Sequence, residues 1–94
     1  MKKIIYSDEA LKELESKSFD KKTKTMIYKK LEYLAQNYEV LKNSKNITQL
    51  VANQNNFFRY KISDKIRAIY RLQNDEIEIF IIKIGQRKNI YDDV

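Results

Sequence analysis

The stretch FFRYKISDKIRAIYR, residues 57–71, decides the fold of this 94-residue chain, because apolar and cationic side chains alternate on both sides of a short polar break. Alternation with a period of two is typical of β-strands, whose successive side chains point to opposite faces of a sheet. Two such runs separated by Ser63 and Asp64 predict an antiparallel hairpin with one apolar face and one cationic face.

Hydrophobic patterning decides between two registers for this hairpin. Pairing Ile62 with Ile66 across a three-residue loop gathers the large apolar side chains on one face. A two-residue turn, which pairs Ile62 with Lys65, mixes core residues with cations on both faces. We therefore predict the first register, with these cross-strand pairs: Tyr60 with Ala68, Phe58 with Tyr70, Lys61 with Arg67 and Arg59 with Ile69.

The alternation continues towards the carboxyl terminus, so three strands are predicted, at residues 57–62, 65–72 and 76–84. Asn74 and Asp75 tolerate positive φ, which predicts a two-residue turn between the last two strands. That turn sets Arg71 opposite Glu78 as a cross-strand ion pair. Arg67 meets no carboxylate in this register, and we expect Arg59, Lys61 and Arg67 to lie unpaired on one face.

The first half of the chain predicts one strand and two helices. KIIY, residues 3–6, is β-branched and aromatic, which favours a strand, and Ser7 can cap the helix that follows. A second helix is predicted from Asp20, with an apolar stripe at Ile27, Leu31, Leu34 and Tyr38. Most lysines in this half lie off the stripe and are interpreted as a solvated face. Residues 39–56 are polar and predict a loop with one short extended piece.

The order of these elements predicts an α+β fold. We expect a small single domain over residues 1–94, because a chain of this length has room for one core. It comprises an N-terminal strand and two helices packed on one face of an antiparallel sheet that ends in a three-stranded meander.

The amino-acid composition excludes several classes of catalytic site and indicates the kind of binding partner. The chain has no histidine and no cysteine, which excludes a Ser-His-Asp triad and argues against zinc, and we expect neither a metal nor a cofactor. No apolar run approaches the roughly 20 residues of a membrane span and nothing resembles a signal peptide, so a cytoplasmic location is expected. Nineteen basic against thirteen acidic residues favour a nucleic-acid or acidic protein partner.

The cations of the first hairpin are unusual in their placement. Lys61 faces Arg67, with Arg59 next along the same face, although like charges directly opposite each other destabilise a sheet. Clustered cations on a rigid face can bind an anion. A solvated outer face on which long side chains splay apart explains the pattern equally well.

The last segment, IIKIGQRKNIYDDV at residues 81–94, extends this cluster. It contains the only glycine, Gly85, where the strand is expected to end or bend. If the tail turns back over the sheet, Arg87 and Tyr91 join the cationic face. Cations interleaved with an aromatic ring suit a nucleotide, with phosphate on the cations and a base on the ring.

The run FRYKISDKIRAIYRL, residues 58–72, followed by DEIEIFIIKIGQRKNIY, residues 75–91, resembles the RelE/ParE toxin superfamily of bacterial type II toxin–antitoxin systems, and its RelE branch in particular. The resemblance is firm over residues 57–91 and looser over the helices. It implies a ribosome-dependent endonuclease that cuts messenger RNA in the A site. It also implies a cognate antitoxin, whose acidic segment masks or distorts the basic face.

The resemblance implies a transesterification, in which the ribose 2′-hydroxyl attacks the adjacent phosphate and the 5′-oxygen leaves. By position, Lys61 would activate or stabilise the 2′-oxygen and Arg67 would stabilise the phosphorane. Arg87 would help the leaving oxygen, and Tyr91 would stack on or orient the substrate. RNA or phosphate contacts are expected from Arg59, Lys65, Gln86 and Lys88. Gln86 stands where many relatives carry a histidine. Any part that this histidine plays in acid–base catalysis is therefore absent here.

Two alternatives of other classes stay open. A ParE-like toxin inhibits DNA gyrase by binding and cleaves nothing, and the cations Lys61, Arg67 and Arg87 argue against it. A degenerate relative would only bind its antitoxin.

Overall fold

The computed structural model describes residues 1–50, 56–88 and 90. Within them, three helices pack against a five-stranded sheet with strand order β1-β5-β4-β3-β2. The helices are α1 (Asp8–Glu15), α2 (Lys21–Gln36) and α3 (Tyr38–Leu41). The strands are β1 (Lys3–Tyr6), β2 (Ile47–Leu50), β3 (Phe57–Lys61), β4 (Ile66–Gln73) and β5 (Glu78–Gln86). The predicted α+β class is confirmed.

Local capping places both long helices where the sequence predicts them. The Ser7 hydroxyl accepts a hydrogen bond from the amide of Ala10 and donates one to the carbonyl of Ile82, so it caps α1 and ties it to β5. The Asp20 carboxylate accepts from the amide of Thr23 and caps α2. Each cap satisfies a helix-terminal amide that has no partner within its own helix.

The hydrophobic core lies between the helices and one face of the sheet. The predicted stripe is buried, although its last member, Tyr38, lies in α3 and not in α2. Leu14 of α1 and this stripe pack against the side chains that alternate inward from the strands, which include Tyr60, Ala68, Tyr70, Ile79 and Ile81. The Tyr38 and Tyr70 hydroxyls hydrogen-bond each other at 2.9 Å inside this core. Desolvation by burial raises the pKa of both phenols, so both stay neutral at physiological pH.

The predicted register of the first hairpin is confirmed. β3 and β4 pair Tyr60 with Ala68 and Lys61 with Arg67. The Ile62 amide donates to the carbonyl of Ile66 at 3.0 Å, which closes the three-residue loop. Apolar patterning was sufficient here because a slip of one residue would have turned every core side chain outward.

The predicted register of the second hairpin is wrong. A four-residue loop connects β4 to β5, so Gln73 pairs with Glu78 and Arg71 pairs with Phe80. The predicted Arg71–Glu78 ion pair is therefore absent, and the Arg71 guanidinium lies 4.9 Å from the centre of the Phe80 ring as a cation–π contact. A bulge follows between Ile69 and Tyr70 and shifts the pairing again.

Residues 39–56 contain the expected short extended piece, which is the edge strand β2 and pairs antiparallel with β3. The short helix α3, which follows α2 directly, was not expected. The first strand also departs from a purely antiparallel sheet, since β1 runs parallel to β5 at the other edge. No helix among the described residues is long and apolar enough to cross a membrane.

Candidate functional site

The face of the sheet opposite the helices, called the outer face below, carries the predicted cations. Cross-strand pairing places Arg59, Ile69 and Lys83 in one row. The next row holds Lys61, Arg67 and Gly85. Side chains two residues apart on a strand are about 7 Å apart, so the two rows form one continuous surface.

Lys61 is not the unpaired cation that the sequence predicted. Its Nζ lies 3.2 Å from Oδ1 of Asp64, in the loop that follows β3. Both side chains are solvated, with 43% of Lys61 and 91% of Asp64 exposed. An ion pair this exposed contributes about 0–1 kcal/mol, so a phosphate can readily compete with Asp64 for the ammonium group.

Arg67 is also not unpaired, and it is the one buried charged side chain among the described residues, with 7% exposed. Its Nη1 donates to the carbonyls of Ser63 and Ile66, so the guanidinium braces the loop between β3 and β4. Arginine has five donors in a rigid planar fork, and the bonds described here use Nη1 alone. Arg67 therefore holds the loop through Nη1, and an anion can reach its remaining donors only through the 7% of its surface that is exposed.

Arg59 and Lys83 complete the outer face. Arg59 Nη2 donates to the hydroxyl of Thr48 at 3.2 Å, so the expectation that Arg59 is unpaired is wrong as well. Lys83 was missed from the sequence because uninterrupted alternation along this strand places it on the core face with Ile79 and Ile81. The bulge in the β4–β5 pairing places it opposite Ile69, on the cationic face.

The carboxy-terminal residues meet the hairpin loop at the end of the sheet. The Arg87 amide donates to the carbonyl of Lys65 at 2.7 Å, which extends the β4–β5 pairing beyond β5. Lys65, Gln86, Arg87 and Lys88 are exposed and, with Asp64, line an open depression of about 640 Å³. Three cations and one carboxylate thus border a concave surface beside Lys61 and Arg67.

Gly85 does not end the strand as predicted, because β5 continues through it to Gln86 without positive φ. A Cβ built at Gly85 would lie 3.8 Å from that of Ile90, which is fully buried. The chain therefore returns over the outer face at Ile90, next to Arg67. Tyr91 lies outside the described residues, so its role stays a prediction.

The structure thus brings together seven of the eight residues predicted for the site, in two neighbouring groups. The outer face holds Arg59, Lys61 and Arg67, and the depression at its end holds Lys65, Gln86, Arg87 and Lys88. Within the described part of the chain, no three histidine, cysteine, aspartate or glutamate side chains cluster as metal ligands would.

Solved structures share this architecture. The chain matches one in the archaeal RelE–RelB complex from Pyrococcus horikoshii OT3 (TM-score 0.69, 18% identity, 94% of this chain and 97% of that chain). It also matches a metal-bound toxin from Helicobacter pylori (TM-score 0.69, 21% identity, 97% and 100%) and the isolated RelE toxin of E. coli (TM-score 0.65, 20% identity, 97% and 92%). At these identities the matches establish the fold.

Sequence comparison supplies the family. No curated protein sequence matches the chain significantly. The family model that describes the ParE toxin of the type II toxin–antitoxin system parDE matches residues 4–91, which is nearly the whole chain and includes both halves of the cationic site. The chain therefore belongs to the RelE/ParE superfamily and is the toxin of a type II toxin–antitoxin system.

Proposed function

We propose that this toxin is a ribosome-dependent endoribonuclease that acts in the cytoplasm as one domain over residues 1–94 and cleaves messenger RNA in the A site. The observation that carries the proposal is the hydrogen bond between Arg87 and Lys65, which brings the tail cations to the end of the Lys61–Arg67 row. A phosphodiester at this junction would meet cations from three segments. Such preorganised positive charge stabilises a phosphorane.

The reaction needs no metal or cofactor. The 2′-oxygen forms a bond to the adjacent phosphorus, and the bond from phosphorus to the 5′-oxygen breaks. Lys61 activates or stabilises the 2′-oxygen, whose proton passes to solvent, while Arg67 stabilises the charge on the non-bridging oxygens. Arg87 stabilises the departing 5′-oxygen, which takes a proton from water. Products are a 2′,3′-cyclic phosphate and a 5′-hydroxyl.

The remaining predicted residues bind rather than react. Arg59 is held by Thr48 one row from Lys61, which suits a contact to a neighbouring phosphate. Lys65 and Lys88 are exposed at the rim of the depression and would contact RNA backbone, and Gln86 beside them can donate an amide hydrogen bond to a phosphate oxygen. Tyr91 would stack on a base.

The proposed partners are the ribosome with its messenger RNA and a cognate antitoxin with an acidic segment. A RelE–RelB complex and a RelBE2 toxin–antitoxin complex are among the structures with this fold, which supports an antitoxin partner. An acidic segment would complement the outer face, and β2, an edge strand of the sheet that the described residues form, suits augmentation by a further strand.

Mapping of messenger RNA ends after incubation with translating ribosomes tests the proposal. We expect codon-phased cuts that fall by about 10²-fold or more in Lys61→Ala and in Arg87→Ala, the usual loss for a general base or an oxyanion donor. Lys12→Ala on α1 is the matched control and should cut like the parent. Cuts that persist in both site variants would refute the assigned roles.

Gyrase inhibition is the second candidate, because the matching family model describes ParE. A ParE-like toxin would leave messenger RNA intact and trap cleaved DNA on gyrase, and substitution of Lys61 would not affect it. Supercoiling assays with purified gyrase separate the two functions. A protein inactive in both assays that still binds its antitoxin would be a degenerate relative.

A further inference from the structure

A second basic surface lies on α2, away from the site described above. The first ten residues of this helix, KKTKTMIYKK at positions 21–30, contain five lysines and no carboxylate. On the flank of α2, beside its core stripe, an open groove of about 1100 Å³ runs between the helix and Leu41 and Asn46. We call it the lysine groove, and its lining includes Lys22, Met26, Lys29, Lys30, Tyr33 and Leu41.

Helix geometry aligns these side chains in one strip. Lys22, Met26, Lys29 and Tyr33 are spaced at four, three and four residues, so they follow one line along the helix. Lys22 and Lys29 are about 10 Å apart along the axis, at 1.5 Å per residue. That span equals roughly three stacked nucleotides of one strand.

The lysines near the N-terminus of α2 destabilise this helix. Three of them lie in the first turns of α2, where the helix macrodipole disfavours positive charge, and that first turn contains no acidic residue. The ion pairs of the described residues join Lys42 to Glu39 and Lys61 to Asp64, and the N-cap Asp20, whose pKa is lowered by its hydrogen bonds to Thr23 and then by the charge of Lys22, offsets one of the groove lysines. A surface selected only for solubility would place acidic residues here, which points to a binding role.

The chemistry of the groove favours RNA over an acidic peptide. Tyr33 has 53% of its surface exposed beside Lys29 and Lys30, and a solvated aromatic ring among cations is a stacking platform for a base. The apolar floor of Met26 and Leu41 can receive the faces of unstacked bases or ribose. Lysine ammonium groups suit phosphates as point charges.

We propose that the lysine groove is a second RNA-binding surface, which docks ribosomal RNA while the outer face engages the message. This inference rests on the proposed ribosome-dependent function. The groove lies on the helix side of the sheet and the cation rows lie on the other side. A protein with basic surfaces on both sides suits a cleft walled by RNA.

Binding of the full chain to isolated small ribosomal subunits, measured across salt concentrations, tests the inference without requiring cleavage. The groove variant is Lys22→Gln with Lys29→Gln and Lys30→Gln. The control removes the same charge elsewhere, through Lys3→Gln, Lys12→Gln and Lys17→Gln, all exposed. We expect the groove variant to bind about tenfold more weakly, with the slope of log affinity against log salt reduced by roughly 2 to 3. The control should bind within about threefold of the parent.

Thermal unfolding shows that the loss is not misfolding, since removing Lys22 from the helix N-terminus should keep or raise the melting temperature. Equal binding by the two variants would overturn the inference. So would weakened antitoxin binding with unchanged subunit binding, because the occupant would then be an acidic protein segment.

The two proposals fail separately. Subunit binding that depends on the groove but is accompanied by no cleavage would refute the nuclease and leave the RNA surface standing. Codon-phased cleavage by a toxin whose subunit binding does not depend on the groove would refute the RNA surface and leave the nuclease standing. A parent that binds no subunits would refute both.

Discussion

At the scale of single residues, Lys61 and Arg67 are direct cross-strand neighbours with opposite environments. Lys61 is exposed and pairs with a solvated carboxylate, whereas Arg67 is buried and its guanidinium satisfies the carbonyls of Ser63 and Ile66. Their substitution should therefore separate chemistry from stability. An exposed lysine can be lost at little cost, but a buried group that braces a loop cannot.

We expect Arg67→Ala to lower the free energy of unfolding by about 1–3 kcal/mol, because it leaves the Ser63 carbonyl without this donor and removes the buried side chain that braces the loop. Lys61→Ala should change it by no more than about 0.5 kcal/mol. Urea unfolding of the two variants beside the parent measures both values. Equal values for the two variants would contradict the bracing role of Arg67. If Arg67→Ala is strongly destabilised, its cleavage activity must be compared with that of the parent at equal concentrations of folded protein.

The difference between these two residues could not be predicted from the sequence. Alternation placed both on the outer face, and that placement is confirmed. Burial of Arg67 depends on contacts that alternation does not encode, namely the carbonyls of the loop and the return of the chain to Ile90 over Gly85. A pattern of period two gives the face of a side chain but not what covers it.

At the scale of elements, the register of one hairpin could be predicted from the sequence and the register of the other could not. Apolar alternation defined the β3–β4 register, but the β4–β5 loop has no glycine to mark its left-handed residues. Asn74, Asp75 and Glu76 all have positive φ, at 53°, 55° and 66°. Only the first two were recognisable as residues that tolerate this region. The third lengthened the loop and moved the pairing by two residues, and the bulge between Ile69 and Tyr70 then turned Lys83 to the outer face.

Glu76 is the costly member of this loop, since a non-glycine residue in the left-handed region loses about 1–2 kcal/mol. We expect Glu76→Gly to raise the free energy of unfolding by about 0.5–1 kcal/mol, once the extra freedom of glycine in the unfolded chain is deducted. The contact from Lys2 Nζ survives, because it is made to the backbone carbonyl of residue 76.

Urea midpoints measure the effect of Glu76→Gly, and Glu78→Gly is the control. Glu78 begins β5 and its carboxylate accepts a hydrogen bond from Gln73, so glycine there should destabilise the protein. A fall in stability for both variants would show that the Glu76 backbone is not under strain.

At the scale of the whole molecule, the order of elements was predictable because strand and helix periods change clearly along the chain. The edge strand β2 was recognised only as a short extended piece, since its polar residues are exposed and leave no alternating pattern. The lysine groove could not be predicted as a site at all. A helical period separates the lysines of α2 from its core stripe, but the opposing wall at Leu41 exists only in the folded chain.

The net charge of +6 makes a further prediction about the antitoxin proposed above. An acidic segment approaching the outer face is attracted over a distance comparable to the Debye length, about 10 Å at 0.1 M salt. We expect the association rate constant to fall at least about tenfold between low and high salt, while the dissociation rate changes much less. Stopped-flow mixing across a salt series measures both constants. An association rate that stays flat across the series would mean that contacts formed after encounter, and not the field of these nineteen cations, control recognition.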